Sequence, residues 1–205
     1  MTANLKKLVS SETPHFGVSE TVLFVSKDRS DTTDSTKSTN DLFFKLQFGK
    51  LLEQDTSEKN MEMLKKMIQI KNININLPIE AGDSKNALHI VARKGDIKKA
   101  EFLLQHGADV NIKDGTGQTV LHYAAAKDHA EMVEFFIKQG VEINTKDSHG
   151  YTAIHDAASN GATRVVQVLI NEFADLNCKN NNGATPRGVC NNEKLSKLLA
   201  ENGGR

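Results

Sequence analysis

The chain has 205 residues, 26 Lys plus Arg against 26 Asp plus Glu, and 38% hydrophobic residues with no Trp. A formal charge of zero supplies neither the basic excess of a nucleic-acid binder nor a polybasic membrane surface. No run approaches the roughly 18 apolar residues of a spanning helix. Cys178 and Cys190 make no Cys-x-x-Cys and no metal-ligand spacing, so a soluble protein of a reducing compartment, the cytoplasm first and the nucleus second, is expected. The run Thr21–Val25 is shorter than the roughly 7–15 apolar residues of a signal-peptide core. With no Met-Gly start and no C-terminal Cys box, neither a leader nor a lipid anchor is expected.

Residues 1–40 show no sustained period. Eight of the fifteen residues from Ser26 to Asn40 are Ser or Thr and none is apolar, a composition that cannot offset the entropy of ordering and predicts a disordered tail. Phe16, Val18 and Val22–Val25 form an apolar patch before it, and Ser30, Thr32 and Thr33 beside Asp31 and Asp34 suit phosphorylation.

Residues 41–82 read as a helical N-terminal unit. Leu42, Phe43, Leu46, Phe48, Leu51 and Leu52 suit a helix broken or bent near Gly49, and Met61, Met63, Leu64, Met67 and Ile68 suit a second, with polar Asp55–Ser57 between them. The alternation from Asn72 to Leu77 ends the unit in an extended segment.

Beyond residue 83 the text repeats every 33 residues. Leu88-His89 returns as Leu121-His122 and Ile154-His155, and Ala92, Ala125 and Ala158 align with them. Gly117, Gly150 and Gly183 align, as do Thr119, Thr152 and Thr185, and Asn111, Asn144 and Asn177 close the units. Within each unit a short helix opens on an N-cap residue, Asn86, Thr119 or Thr152. A second helix follows, with apolar residues at helical spacing (Leu103 and Leu104; Met132, Val133, Phe136 and Ile137; Leu169 and Ile170).

A 33-residue period carrying Thr-x-apolar-His resembles the ankyrin repeat. The resemblance implies an all-α solenoid of stacked helix-turn-helix units joined by β-hairpin-like loops. It divides the chain into repeats at 83–114, 115–147 and 148–180, with 41–82 as a diverged N-terminal repeat and 181–205 as a short C-terminal cap. Asn76 echoes Asn111 at an offset of 35, which suggests a small insertion in the first unit. The chain departs from the family's pattern in several places. Val120 and Ala153 replace the Pro after Thr, and Arg187-Gly188 replaces Leu-His in the last unit. Phe173 stands where Gly107 and Gly140 stand, and Asp128 occupies another glycine position. Each of these two costs about 1 kcal/mol if the backbone there needs positive φ.

Three histidines in register invite a zinc reading. Equivalent residues on stacked helices are roughly 8–10 Å apart, however, while Zn–N bonds need about 2.0–2.1 Å. A hydrogen-bonding role that orders the turns between repeats is expected instead, and no metal or cofactor. No His-Glu-x-x-His, phosphate loop or nucleophile elbow is present, and nothing assembles a nucleophile, a base and an orienting group, so no enzymatic activity is expected.

In the family, turn tips and the exposed side of the first helices form the recognition surface. Carried over by position, this implies a surface of Lys85, Arg93 and Lys94 from the first repeat, Thr116, Gln118 and Lys127 from the second, and His149, Tyr151 and Asn160 from the third. Lys113, Lys146 and Lys179 recur just before the turns. A ladder of cations with one aromatic among them suits an acidic or phosphorylated segment of another protein. The leading expectation is therefore a non-catalytic scaffold or adaptor. The second is a regulator acting on another cell's machinery, and the third is nucleic-acid binding through the lysines.

Overall fold

The computed structural model describes residues 45–71, 74–79 and 84–205, with the side chains of 70 and 71 left out. The expected tail, its apolar patch and phosphorylation positions, Leu42, Phe43 and the first residues of the Asn72–Leu77 alternation lie outside the described residues. Helix α1 spans 45–53 and α2 spans Glu58–Lys71. Three helix pairs follow: α3 (Ala87–Lys94) with α4 (Ile97–Gln105), α5 (Val120–Ala125) with α6 (Ala130–Lys138), and α7 (Ala153–Asn160) with α8 (Thr163–Asn171). Helix α9 (Glu193–Glu201) closes the chain. Among the described residues there is no strand, and no helix is long and apolar enough to cross a membrane.

Within the unit 41–205 the first helices α3, α5 and α7 pack successively against one another, and each also packs on its own second helix. Small side chains allow this. Ala87, Ala92, Ala124, Ala125, Ala157 and Ala158 are all buried, so the backbones approach where a longer side chain would hold them apart. The second helices contribute the bulk of the core through Leu103, Phe136 and Leu169, which are fully buried, while Leu104, Ile137 and Ile170 are half-buried at its margin.

The N-terminal unit differs from the sequence reading at Gly49. Helix α1 continues through it without a break, and the missing side chain makes room for Ile79, whose Cγ2 would lie 3.0 Å from a Cβ at that position. Asp55 caps the turn into α2 by accepting from Ser57 N and Asn60 Nδ2. This unit is fastened to the array by a buried cation. Lys99 of α4 is fully buried, and its ammonium donates to the carbonyls of Leu52 and Gln54 at the C-terminal end of α1, with Asp96 Oδ2 3.4 Å away. A positive charge at a helix C-terminus meets both the orphan carbonyls and the negative end of the dipole. The corresponding residues of later repeats, Met132 and Val165, are apolar. At the other end the first helix of the last unit shrinks to one turn over 186–189, held by Val189 N on Thr185 O and Gly188 N on Thr185 Oγ1.

Candidate protein-binding surface

Each turn between repeats is closed by its own backbone. Asp114 N donates to Gln118 O and Gly117 N to Asp114 O; the same two bonds recur at Asp147–Tyr151 and Asn180–Ala184. The side chain at the head of each turn tightens it further. Asp114 Oδ1 accepts from Thr116 N and Gln118 N, Asp147 Oδ1 from His149 N and Tyr151 N, and Asn180 Oδ1 from Asn182 N and Ala184 N. Successive tips are stitched together by Ser148 N on Thr116 O and Asn181 N on His149 O. A Cβ added to Gly150 would fall 2.8 Å from Asn181 N, so a side chain there would prise the tips apart.

The three histidines hold these turns from beneath. Nε2 of His89, His122 and His155 lies 3.1, 3.1 and 3.2 Å from the carbonyl oxygens of Gln118, Tyr151 and Ala184. Nδ1 of each faces the backbone N–H of its own helix cap, Asn86, Thr119 or Thr152. A carbonyl can only accept and an amide N–H can only donate, so geometry assigns the neutral tautomer with the proton on Nε2. The hydroxyls of Thr119 and Thr152 also lie 2.9 Å from Nδ1, completing reciprocal caps in which histidine takes the place usual for Glu or Gln. Asn86 caps α3 through its own Oδ1, so the helix starts there without Thr. Burial, chiefly, holds all three imidazoles below their ordinary pKa. Protonation would set a second N–H against an N–H. With both ring nitrogens engaged in this way, the histidines serve the turns as the sequence reading expected.

The asparagines form a second set of ties. Oδ1 of Asn76, Asn111, Asn144 and Asn177 accepts from the backbone N–H of Asp109, Glu142, Asp175 and Arg205. Asn76 makes the same bond as its later counterparts, so the diverged first unit keeps this tie despite its offset of 35.

The expected site residues sit on this frame as follows. Lys94, Lys113, Lys127, Lys146, Lys179, His149 and Asn160 are exposed. Lys146 is tethered, its Nζ donating to Lys179 O at 2.8 Å, and Asn160 Nδ2 is turned back onto Asp156 O. Arg93 is half-buried and paired with Glu53 of α1 at 2.9 Å, and its carbonyl faces His129 Nε2. Thr116 donates its hydroxyl to Asp114. Gln118 and Tyr151 are half-buried, with their backbones held by the histidine bracket, and the Tyr151 ring lies 5.3 Å from that of His155. Lys85 stands over the ring of Tyr123 at 5.9 Å.

Two residues at one position of the repeat were not legible as a pair. In the second repeat Tyr123 donates its hydroxyl to Asp114 Oδ2 at 2.7 Å. Burial pushes the Asp114 carboxyl up, but hydrogen bonds from Tyr123, Thr116 and Gln118 outweigh it, so the group sits below its ordinary pKa and is ionised. In the third repeat the equivalent of Tyr123 is Asp156. Its Oδ2 is buried with no hydrogen-bond partner, and burial, then the neighbouring Asp147, raises its carboxyl from 3.8 to about 7. The sequence signal was present: adding 33 to both members of the Tyr123–Asp114 contact gives Asp156 facing Asp147.

A family model described as ankyrin repeats in three copies matches residues 54–147, and one described as ankyrin repeats in many copies matches residues 140–187. No curated protein matches the chain. The first match takes in α2 and the loop after it, which extends the repeat pattern into the diverged N-terminal unit. Together with the recurring helix pairs and the histidine bracket, these matches show that the chain belongs to the ankyrin-repeat family.

Proposed function

We propose that this protein is a non-catalytic binding module whose contact surface is formed by the turn tips and the exposed side of the first helices, and that its partner presents an acidic or phosphorylated segment. Repeats of this family generally mediate contacts between proteins. The finer reading rests on one observation, the different fates of neighbouring charges in each turn. Lys113, Lys146 and Lys179 stand in solvent, while Asp114, Asp147 and Asn180 are turned inward to accept backbone N–H groups. The buried carboxylates are spent on the turn, and the lysines are what an approaching partner meets. Lys94 and Lys127 continue the cationic surface along the ends of the first helices, and Lys85, Gln118 and Tyr151 occupy equivalent positions between the two rows. Complementary charge of this kind speeds encounter and selects partners more than it adds affinity.

The test is binding to an array of acidic peptides in phosphorylated and unphosphorylated forms, with the Lys94→Glu, Lys127→Glu and Lys179→Glu triple variant alongside. All three side chains are exposed, so the variant keeps its fold. Capture of acidic peptides by the intact protein, lost in the variant and weakened by salt, supports the reading. Equal capture by both proteins rejects this surface.

A further inference from the structure

Among the described residues Phe173 is the most exposed large apolar side chain, and it sits on a left-handed backbone. Its backbone is left-handed at φ 59°, and 91% of the residue is open to solvent. The equivalents Gly107 and Gly140 hold the same turn at φ 88° and 83°, and a Cβ built on either meets nothing within 4 Å. Glycine therefore satisfies the fold completely at this position, and Phe brings backbone strain with no packing in return. Asp128 offers a contrast. It is also left-handed, at φ 55°, but its Oδ1 accepts from Val165 N in the next repeat, so its conformation is repaid inside the array. A strained residue that returns nothing to its own fold points to a use outside it.

Among the described residues the other exposed large apolar side chains are Leu46 and Leu77, both in the N-terminal unit three repeats away. Leu77 borders an open, shallow apolar pocket lined by Phe48, Ile75, Pro78 and Ile79, with Lys45 and Asn74 beside it. Phe173 is preceded by Glu172 and followed two residues later by Asp175, both exposed. An aromatic knob with an acidic margin and an apolar pocket with a basic one are thus carried on different units of one chain. We propose that Phe173 of one copy seats in the pocket of a second copy, so that the protein associates with itself head to tail. A knob and a pocket on different patches make a heterologous contact, which leaves a free knob at one end and a free pocket at the other and so extends rather than stopping at a pair.

Sedimentation equilibrium of the full chain over rising concentration tests this. The intact protein should gain mass continuously and pass beyond a dimer. Phe173→Gly should stay a single chain and, at concentrations low enough that the intact protein is also a single chain, melt at a higher temperature, since the strain is relieved. Leu77→Glu should also stay single, and Lys45→Glu, which sets like charge against Glu172, should weaken association without touching the core. Phe173→Gly keeps its pocket and Leu77→Glu keeps its knob, so an equimolar mixture should form pairs and nothing larger. A single-chain mass for the intact protein at every concentration overturns the proposal, including the case in which another part of the same chain fills the pocket. So does association of Phe173→Gly equal to that of the intact protein, a fall in its melting temperature at those low concentrations, or failure of the mixture to pair.

Discussion

The second and third repeats share a backbone design and differ at one buried contact. Both open on a Thr–His cap, both close a turn around an inward Asp, and both present a lysine at the tip. Behind the turn, however, the second repeat sets a phenol against its Asp and the third sets a carboxyl. The phenol donates a hydrogen bond whatever the pH of ordinary buffers. The carboxyl can donate only while it keeps its proton. One substitution at one register position therefore makes this contact insensitive to pH in one repeat and responsive to it in the next, while the helices around both stay the same.

What the two repeats share should respond alike. Leu121 and Ile154 are equivalent and each 1% exposed, so Leu121→Ala and Ile154→Ala should each cost roughly 2–5 kcal/mol in denaturant unfolding. A near-zero cost in either would remove the claim that both first helices are anchored by this residue. What they do not share should separate them. Asp156→Tyr, which copies the second repeat, should stabilise the protein at pH 8 by about 1–3 kcal/mol, the scale of relieving a buried unsatisfied polar group. No gain would mean that the repeats differ at this position in name only. The converse, Tyr123→Phe, should cost about 1.5–3 kcal/mol by taking the donor from the ionised Asp114.

Opposite pH slopes sharpen the contrast further. The Asp156 carboxyl titrates at about 7 in the fold against 3.8 in its ordinary state, so the native protein holds the extra proton between those values. Stability should fall as pH rises through that window, and the loss is complete above about 7. The three histidines are held below 6.5, so the unfolded chain binds more protons there, and stability should fall as pH drops below that value. Melting temperatures across pH 5–8 should show both slopes in the intact protein. Asp156→Asn should leave only the histidine slope. A variant that keeps the fall toward pH 7 would mean that a group other than Asp156 titrates.

Most of the fold was legible because its determinants repeat. The 33-residue register located the helix pairs, the turns, the histidine role and the recurring Asn positions, though not the ties they make, and it marked Asp128 and Phe173 as positions where glycine would be expected, both of which are left-handed. The rest depended on contacts that do not repeat. Lys99 looks like any surface lysine in sequence, since its partners are carbonyls of a helix outside the regular register. Gly49 reads as a break until Ile79 is placed against it. Arg93 reads as a free surface cation until Glu53 comes within 2.9 Å from the same irregular unit. Asp156 reads as an ordinary exposed helix acid until Asp147 of the preceding turn is placed near it. Regular positions can be inferred from their copies, whereas singular ones need coordinates.

The ties between units also have a direction. Every histidine and every asparagine of the ladder reaches forward, to a carbonyl or an amide 26 to 33 residues later in the chain, and its counterpart in the following unit does the same. On the ribosome a repeat that has just emerged still holds an imidazole and a carboxamide whose partners are inside the exit tunnel. Native structure should therefore trail synthesis by one whole unit, each repeat locking only when the turn of its successor leaves the exit tunnel.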